Sequence, residues 1–205
     1  MHTKRIQIIS ILAFPVLLAV GIVLIPVVTD YSDHQLAEQA VRQTTRWFSG
    51  HLLSAVAFAI SILSVSSIDR YLQLSSQSLP LLTWPFITIG AGLYAAGLGA
   101  DGIGPLALQS TGHSPEIFFD GSGLWVTGTF IAGTAAFGLG LLNVVIGSIR
   151  LGLLNGRSRY VSFISALIFM AAPMILSGWA LYGVAVAAFG VFVPVASAIM
   201  KDNSP

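Results

Sequence analysis

Residues 47–70 read WFSGHLLSAVAFAISILSVSSIDR, with Trp47 at one end, Arg70 at the other, and an apolar run between them interrupted by serines and by His51. About 20 apolar residues in a helix cross the roughly 30 Å hydrocarbon core of a bilayer. Tryptophan favours the membrane interface and arginine the cytoplasmic side of such a helix. The stretch therefore predicts a transmembrane helix over 47–68. His51, one turn inside its outer end, is the one ionisable side chain within any predicted span.

The same length criterion applied outward from this stretch predicts six spans, at 6–28, 47–68, 80–99, 124–149, 161–177 and 180–199. The first follows Lys4 and Arg5 and resembles a secretory signal. Its apolar run is too long for a signal core of about 7 to 15 residues, and it is read as a retained span. Residues 160–200 form one nearly unbroken apolar stretch. A single helix of that length would be about 60 Å long, so a turn near Ser177-Gly178-Trp179 is predicted. The expected fold is an all-α integral membrane protein, a single bundle of residues 1–205, with six helices in three hairpins.

Composition supports this class. Of 205 residues 55% are apolar and only 8% charged, far from the quarter typical of soluble domains. Nine basic residues against eight acidic leave no excess that would draw nucleic acid. The absence of cysteine removes disulfides, thiolate metal sites and cysteine nucleophiles together. Lys4, Arg5, Arg70, Arg150, Arg157, Arg159 and Lys201 fall on one side of the six-span scheme, and only Arg42 and Arg46 on the other. Basic residues in short loops stay cytoplasmic, so both termini are expected inside, in a cytoplasmic (plasma) membrane.

Two external segments follow, 29–46 and 100–123. In the first, Ser32 and Gln35 have capping-box spacing and Glu38 and Arg42 form an i,i+4 pair, which predicts a short helix continuous with the second span. In the second, Gly102, Gly104, Pro105, Gly112 and Pro115 predict a loop, with Phe118 and Phe119 dipping to the interface or packing on the bundle. Small residues at every fourth position, Gly128, Ala132, Ala136 and Gly140 in span four and Ala91, Ala95 and Gly99 in span three, predict a close hairpin between these helices. The even spans each open with tryptophan (Trp47, Trp125, Trp179) and close with a basic residue, as a repeated hairpin would.

An ionisable group inside the membrane is costly, which marks His51 as a candidate site. Its structural role would be a bond to a neighbouring hydroxyl such as Thr127 or Thr129. Its functional roles would be contact with a solute, together with Arg46 and the carboxamide of Asn143, or ligation of haem or metal. A metal could also be held outside the bilayer by His34 and Glu38, spaced i,i+4, with His113 and Glu116 from the second segment. No cofactor is indicated by a motif. The H-E-x-x-H signature is absent, no later span carries a histidine to serve a serine nucleophile, and no span carries a carboxylate, so intramembrane catalysis and carboxylate-based proton coupling are both disfavoured. The prolines of the odd spans, Pro15, Pro85 and Pro173, lack the following acid and base that mitochondrial carriers require.

The expected function is that of a small permease or membrane solute-binding subunit with an externally facing site near His51. In size and span count the chain is similar to the substrate-binding subunits of energy-coupling vitamin transporters, without a shared motif. The alternative is a non-catalytic structural or accessory subunit, and the third reading is the external metal or haem site. The partners expected are the lipid bilayer, with other membrane subunits or further copies of the chain.

Overall fold

A computed structural model describes residues 2–121, 123–175 and 177–202. All regular structure in them is helical: α1 (His2–Leu24), α2 (His34–Val41), α3 (Thr44–Gln73), α4 (Thr83–Ser110), α5 (Glu116–Asp120), α6 (Gly123–Arg150), α7 (Gly156–Ala171), a 3-10 turn (Ala172–Met174) and α8 (Gly178–Lys201). Among the described residues five helices, α1, α3, α4, α6 and α8, are long and apolar enough to cross a membrane. Their outward faces carry large apolar side chains such as Ile9, Leu63, Ile89 and Val186, all exposed, as lipid-facing helices do.

The two ends of the bundle are chemically distinct. At one, Lys4 Nζ donates to the carbonyl of Asp202 at 2.9 Å, and the Tyr71 hydroxyl donates to the Asp202 carboxylate. Arg70, Arg150 and Lys201 close their helices at this basic end. Gly152, in the left-handed region at φ +76°, stops α6 there, while Leu153 and Leu154 return their N–H groups to Ser148. At the other end lie α2 and α5, and the first residue of α8, Gly178, donates to Val28 at 2.7 Å. Ser177 caps α8 and makes the turn expected near residue 178. The segment 156–174 therefore runs from the basic end to the α2–α5 end as a 16-residue helix and one 3-10 turn, about 30 Å in all.

Sequential helices pack as pairs, α1 on α3, α4 on α6 and α7 on α8. Close backbone approach makes the pairs, as expected: Gly140 of the predicted row takes part, together with Gly90, which lies outside the predicted rows. A Cβ on Gly90 would stand 2.3 Å from the Phe137 nitrogen, and one on Gly140 would stand 2.7 Å from Ile87. Gly128 and Gly99 face open space. On α3, Gly50 meets the backbone of α1 at the Gly21 carbonyl and that of Ile25 just beyond it, and the Ser64 hydroxyl donates to the Ser10 carbonyl at 2.7 Å. In the middle of the bundle Phe14 is surrounded by Phe58, Phe137, Phe169 and Phe192, with ring centroids 5.4–6.5 Å away.

Three expectations are corrected. α2 is not continuous with α3: the helix breaks at residues 42–43, and Asp33 rather than Ser32 caps it, its carboxylate accepting from Gln35 N at 3.0 Å. The break folds the small apolar face of α2, Ala37, Ala40 and Val41, back onto Val28 and Trp47, which a straight helix would carry away from the bundle. Residues 101–110 are not loop but the last turns of α4. Their glycines are packing positions, since a Cβ on Gly102 would lie 2.7 Å from that of His51, and one on Gly104 would strike the Phe118 ring at 2.2 Å. Phe118 is accordingly buried against the bundle.

Pro105 explains a further contact. Lacking an N–H, it leaves the carbonyl four residues earlier, at Asp101, without its helical partner. The Trp47 indole N–H donates to that carbonyl at 3.0 Å. Pro194 acts alike in α8, where the freed Gly190 carbonyl accepts from the Ser162 hydroxyl at 3.2 Å.

Candidate functional site

Trp47 departs from the interfacial role that its place in the sequence suggests. Trp125 and Trp179 are largely exposed, whereas Trp47 is fully buried and packs at a tilt of 38° against the His51 ring, with centroids 4.4 Å apart. His51, one turn further along α3, is buried as well. Its Nδ1 is 2.7 Å from the carbonyl of Trp47 and its Nε2 is 3.1 Å from Oδ2 of Asp101. The partner is thus a carboxylate from α4, not the hydroxyl of Thr127 or Thr129.

The protonation of this pair follows from the partners. A backbone carbonyl only accepts, so Nδ1 carries a proton. In neutral imidazole Nε2 would then also be an acceptor, facing an acceptor carboxylate. The hydrogen bond needs one additional proton, held as imidazolium and carboxylate or as imidazole and carboxylic acid. Either way the pair has no net charge and contains one proton more than its two bases alone.

This pair forms part of the wall of a cavity of about 460 Å³ at the α2–α5 end of the bundle. The five long helices line it, α1 with Leu18 and Ile22, α3 with His51, Ser54 and Phe58, α4 with Tyr94, Leu98 and Asp101, α6 with Thr127 and Phe130, and α8 with Leu181 and Val184, and α2 and α5 add His34 and Phe119. Phe58 and Tyr94 stack at 4.0 Å, and the Tyr94 hydroxyl bonds Thr134 at 2.6 Å. Beneath them the phenylalanine cluster around Phe14 fills the bundle toward the basic end. The lining is apolar with a few polar groups, the usual composition of a small-molecule site, and the volume falls within the roughly 300–1,000 Å³ of such sites.

Ser54 is the least satisfied of these groups. Its hydroxyl is buried, lies on the cavity wall and has no hydrogen-bond partner among the described residues. A buried hydroxyl without a partner costs about 1–3 kcal/mol, which a ligand or water in the cavity would recover. Tyr31, from the segment between α1 and α2, lies on the wall too. Burial, reinforced by the Asp101 carboxylate, pushes its phenol above the ordinary tyrosine range.

The remaining sequence candidates stand elsewhere. Arg46 is exposed and turns to the backbone, donating to the Leu24 carbonyl at 3.2 Å and to Gln43 at 2.9 Å, and it is not among the residues lining the cavity. Asn143 is half-buried in α6, about 24 Å along the helix from Thr127. His34 bonds Asp120 at 2.5 Å, beside the cavity rim. Glu38 bonds Arg42 at 3.2 Å and accepts from Ser114, and with His113 it borders a separate surface depression. His113 is paired with Thr111. Among the described residues no three His, Cys, Asp or Glu side chains, Glu116 included, stand together as a metal would require.

The pairing also limits the chemistry at His51. Both ring nitrogens are engaged in hydrogen bonds, so haem iron, zinc or the Ser54 hydroxyl would have to displace the Asp101 carboxylate to reach Nε2. A buried acid–base pair does exist, contrary to the reading that no carboxylate belongs to a span. Asp101 is hidden in the sequence by its neighbours Gly102, Gly104 and Pro105, which are loop residues by local propensity. The signal that could have found it is the proline itself, because the residue four before an intrahelical proline must find another partner for its carbonyl. No protein-family model, curated protein or solved structure matches this chain.

Proposed function

We propose that this chain is a six-pass integral membrane protein that holds a small solute in the cavity beside His51, as a small permease or a membrane solute-binding subunit. The observation that carries the reading is the cavity itself, which ends on the hydrogen-bonded His51–Asp101 pair and a Ser54 hydroxyl without a partner among the described residues. A helical bundle whose only task was to support partners would gain from filling that space.

Parity supports six passes. Lys4 meets Asp202, so residues 4 and 202 lie at one end of the bundle and the polypeptide between them crosses it an even number of times. With five long helices, α7 and its 3-10 turn supply the sixth pass. The basic end is then cytoplasmic, and the cavity opens to the outer face. Because the chain lacks cysteine, single introduced cysteines report topology directly. Ser32→Cys and Thr111→Cys are expected to react with an impermeant maleimide on intact cells, and Ser75→Cys only after permeabilisation. Labelling of Ser32→Cys and Thr111→Cys from opposite sides would rule out this arrangement.

The solute reading is tested by extracting the protein in native lipid discs and ejecting it into a mass spectrometer. A discrete small molecule bound at up to one per chain is expected. Val184→Trp, which places an indole in the cavity, is expected to lower its occupancy at least about tenfold while the protein remains folded. Equal occupancy in the variant would sink the proposal.

An accessory-subunit role is the second reading. At Gly92, Gly99 and Gly128 an added Cβ would meet nothing within 4 Å, which leaves α4 and α6 with small residues on outer positions where another helix could pack closely. A partner polypeptide, rather than a small molecule, would then accompany the protein in the same spectrum.

A further inference from the structure

Resting on the reading of the cavity as a solute site, we propose that its solute is a lipophilic organic cation, bound in exchange for the proton shared by His51 and Asp101. When that proton leaves, the Nε2 lone pair of His51 and the carboxylate of Asp101 face each other as two acceptors, and the site carries one negative charge. A bound cation restores neutrality just as the proton did. The exchange balances: one positive charge enters the cavity, one proton passes from the pair to water, and no covalent bond in the solute is changed.

The surroundings favour a cation over an anion or a neutral solute. No lysine or arginine is among the residues lining the cavity, and Arg46 of the same helix is committed to the backbone of residues 23 and 24. An anion would meet the Asp101 carboxylate with hydroxyl donors and only His34, itself paired with Asp120, to hold it. Aromatic side chains supply ring surface to an organic cation, with Phe58, Tyr94 and Phe130 on the wall. The titratable groups facing the pair are few. Tyr31 comes from the segment after α1, Tyr94 of α4 lies on the wall with its hydroxyl bonded to Thr134, and His34, paired with Asp120, lies at the rim. The wall residues of α1, α6 and α8 carry none.

The test uses the full chain in discs of zwitterionic phosphatidylcholine and two fluorescent probes of nearly one shape, the cation N-methylacridinium and the neutral 9-methylanthracene. N-methylacridinium is expected to bind more tightly as pH rises, approaching about tenfold per pH unit where the pair holds its proton. Close to one proton should be released per cation bound, read with an indicator dye in weak buffer. Asp101→Asn is expected to weaken cation binding at least about tenfold and to abolish the release. The pH slope and proton count are made on the unaltered protein and do not depend on the variant folding. Binding of 9-methylanthracene with no selective binding of the cation would overturn the cation proposal while leaving the solute site standing. Failure of both probes would overturn both readings, and cation binding without proton release would overturn the exchange.

Discussion

Gly90→Val is expected to cost about 3 kcal/mol of stability and to leave most of the protein unfolded or aggregated on extraction. A Cβ at this position would lie 2.3 Å from the nitrogen and 2.5 Å from the Cα of Phe137. These are backbone atoms of a helix, so no rotamer change can clear them, and α4 and α6 must separate. Overpacking commonly costs about 1–3 kcal/mol, and the upper end applies where the obstacle is main chain. In a bilayer the loss is felt mainly as van der Waals contact, since lipid solvates the separated apolar faces well. The damage would spread, because Phe137 packs on Phe14, Phe58 and Phe169. Gly92→Val is the control: that position is exposed and meets nothing within 4 Å. Unfolding midpoints in a mixed detergent titration should fall for the first variant and hold for the second. Equal losses would mean that Gly90 is not a close-contact position.

The second large effect concerns the buried pair. His51→Ala and Asp101→Ala are each expected to cost about 2–3 kcal/mol, the penalty of stranding one member of a buried charged or proton-sharing pair. A value at or just below the bottom of the roughly 3–5 kcal/mol range for fully buried pairs is appropriate, because the Asp101 side chain is 19% exposed while that of His51 is 4% exposed. The double variant should lose less than the sum by at least about 1 kcal/mol, because the second truncation removes a group already without its partner. Strict additivity in the same unfolding titration would show that the two side chains are not coupled. Each single variant should also lose the cavity solute, whereas Asn143→Ala, far down α6, should retain it.

Particular residues show why some features are legible in the sequence and others are not. The helix at 44–73 is legible because a long apolar run bracketed by Trp47 and Arg70 has few other solutions. The turn before α8 is legible because one helix through residues 160–200 would be far too long. α7 is harder to delimit, since the apolar stretch continues past Ala171 while Pro173 ends the regular helix in a 3-10 turn. The end of α4 escapes a sequence reading because glycine and proline are loop residues by propensity, and only packing reveals Gly102 as the space for His51 and Gly104 as the seat of Phe118. The same ambiguity puts Asp101 outside the bundle and removes from view the one side-chain partner that His51 has on another helix.

Sequence by itself determined the helical class, the membrane-length apolar helices, their pairing as neighbours along the chain and the place of His51 one turn inside the end of an apolar helix. These follow from local quantities: apolar run length, charge at helix ends and short connections that leave sequential helices adjacent. Only the tertiary structure decided which glycines touch, that Trp47 is buried while Trp125 and Trp179 face outward, and that Asp101 stands within hydrogen-bond distance of His51 at the wall of a cavity. Those depend on the rotation of each helix about its axis and its register against its neighbours. In a uniformly apolar helix no hydrophobic face announces that rotation, so it is settled by close packing and by the few polar groups that must find partners.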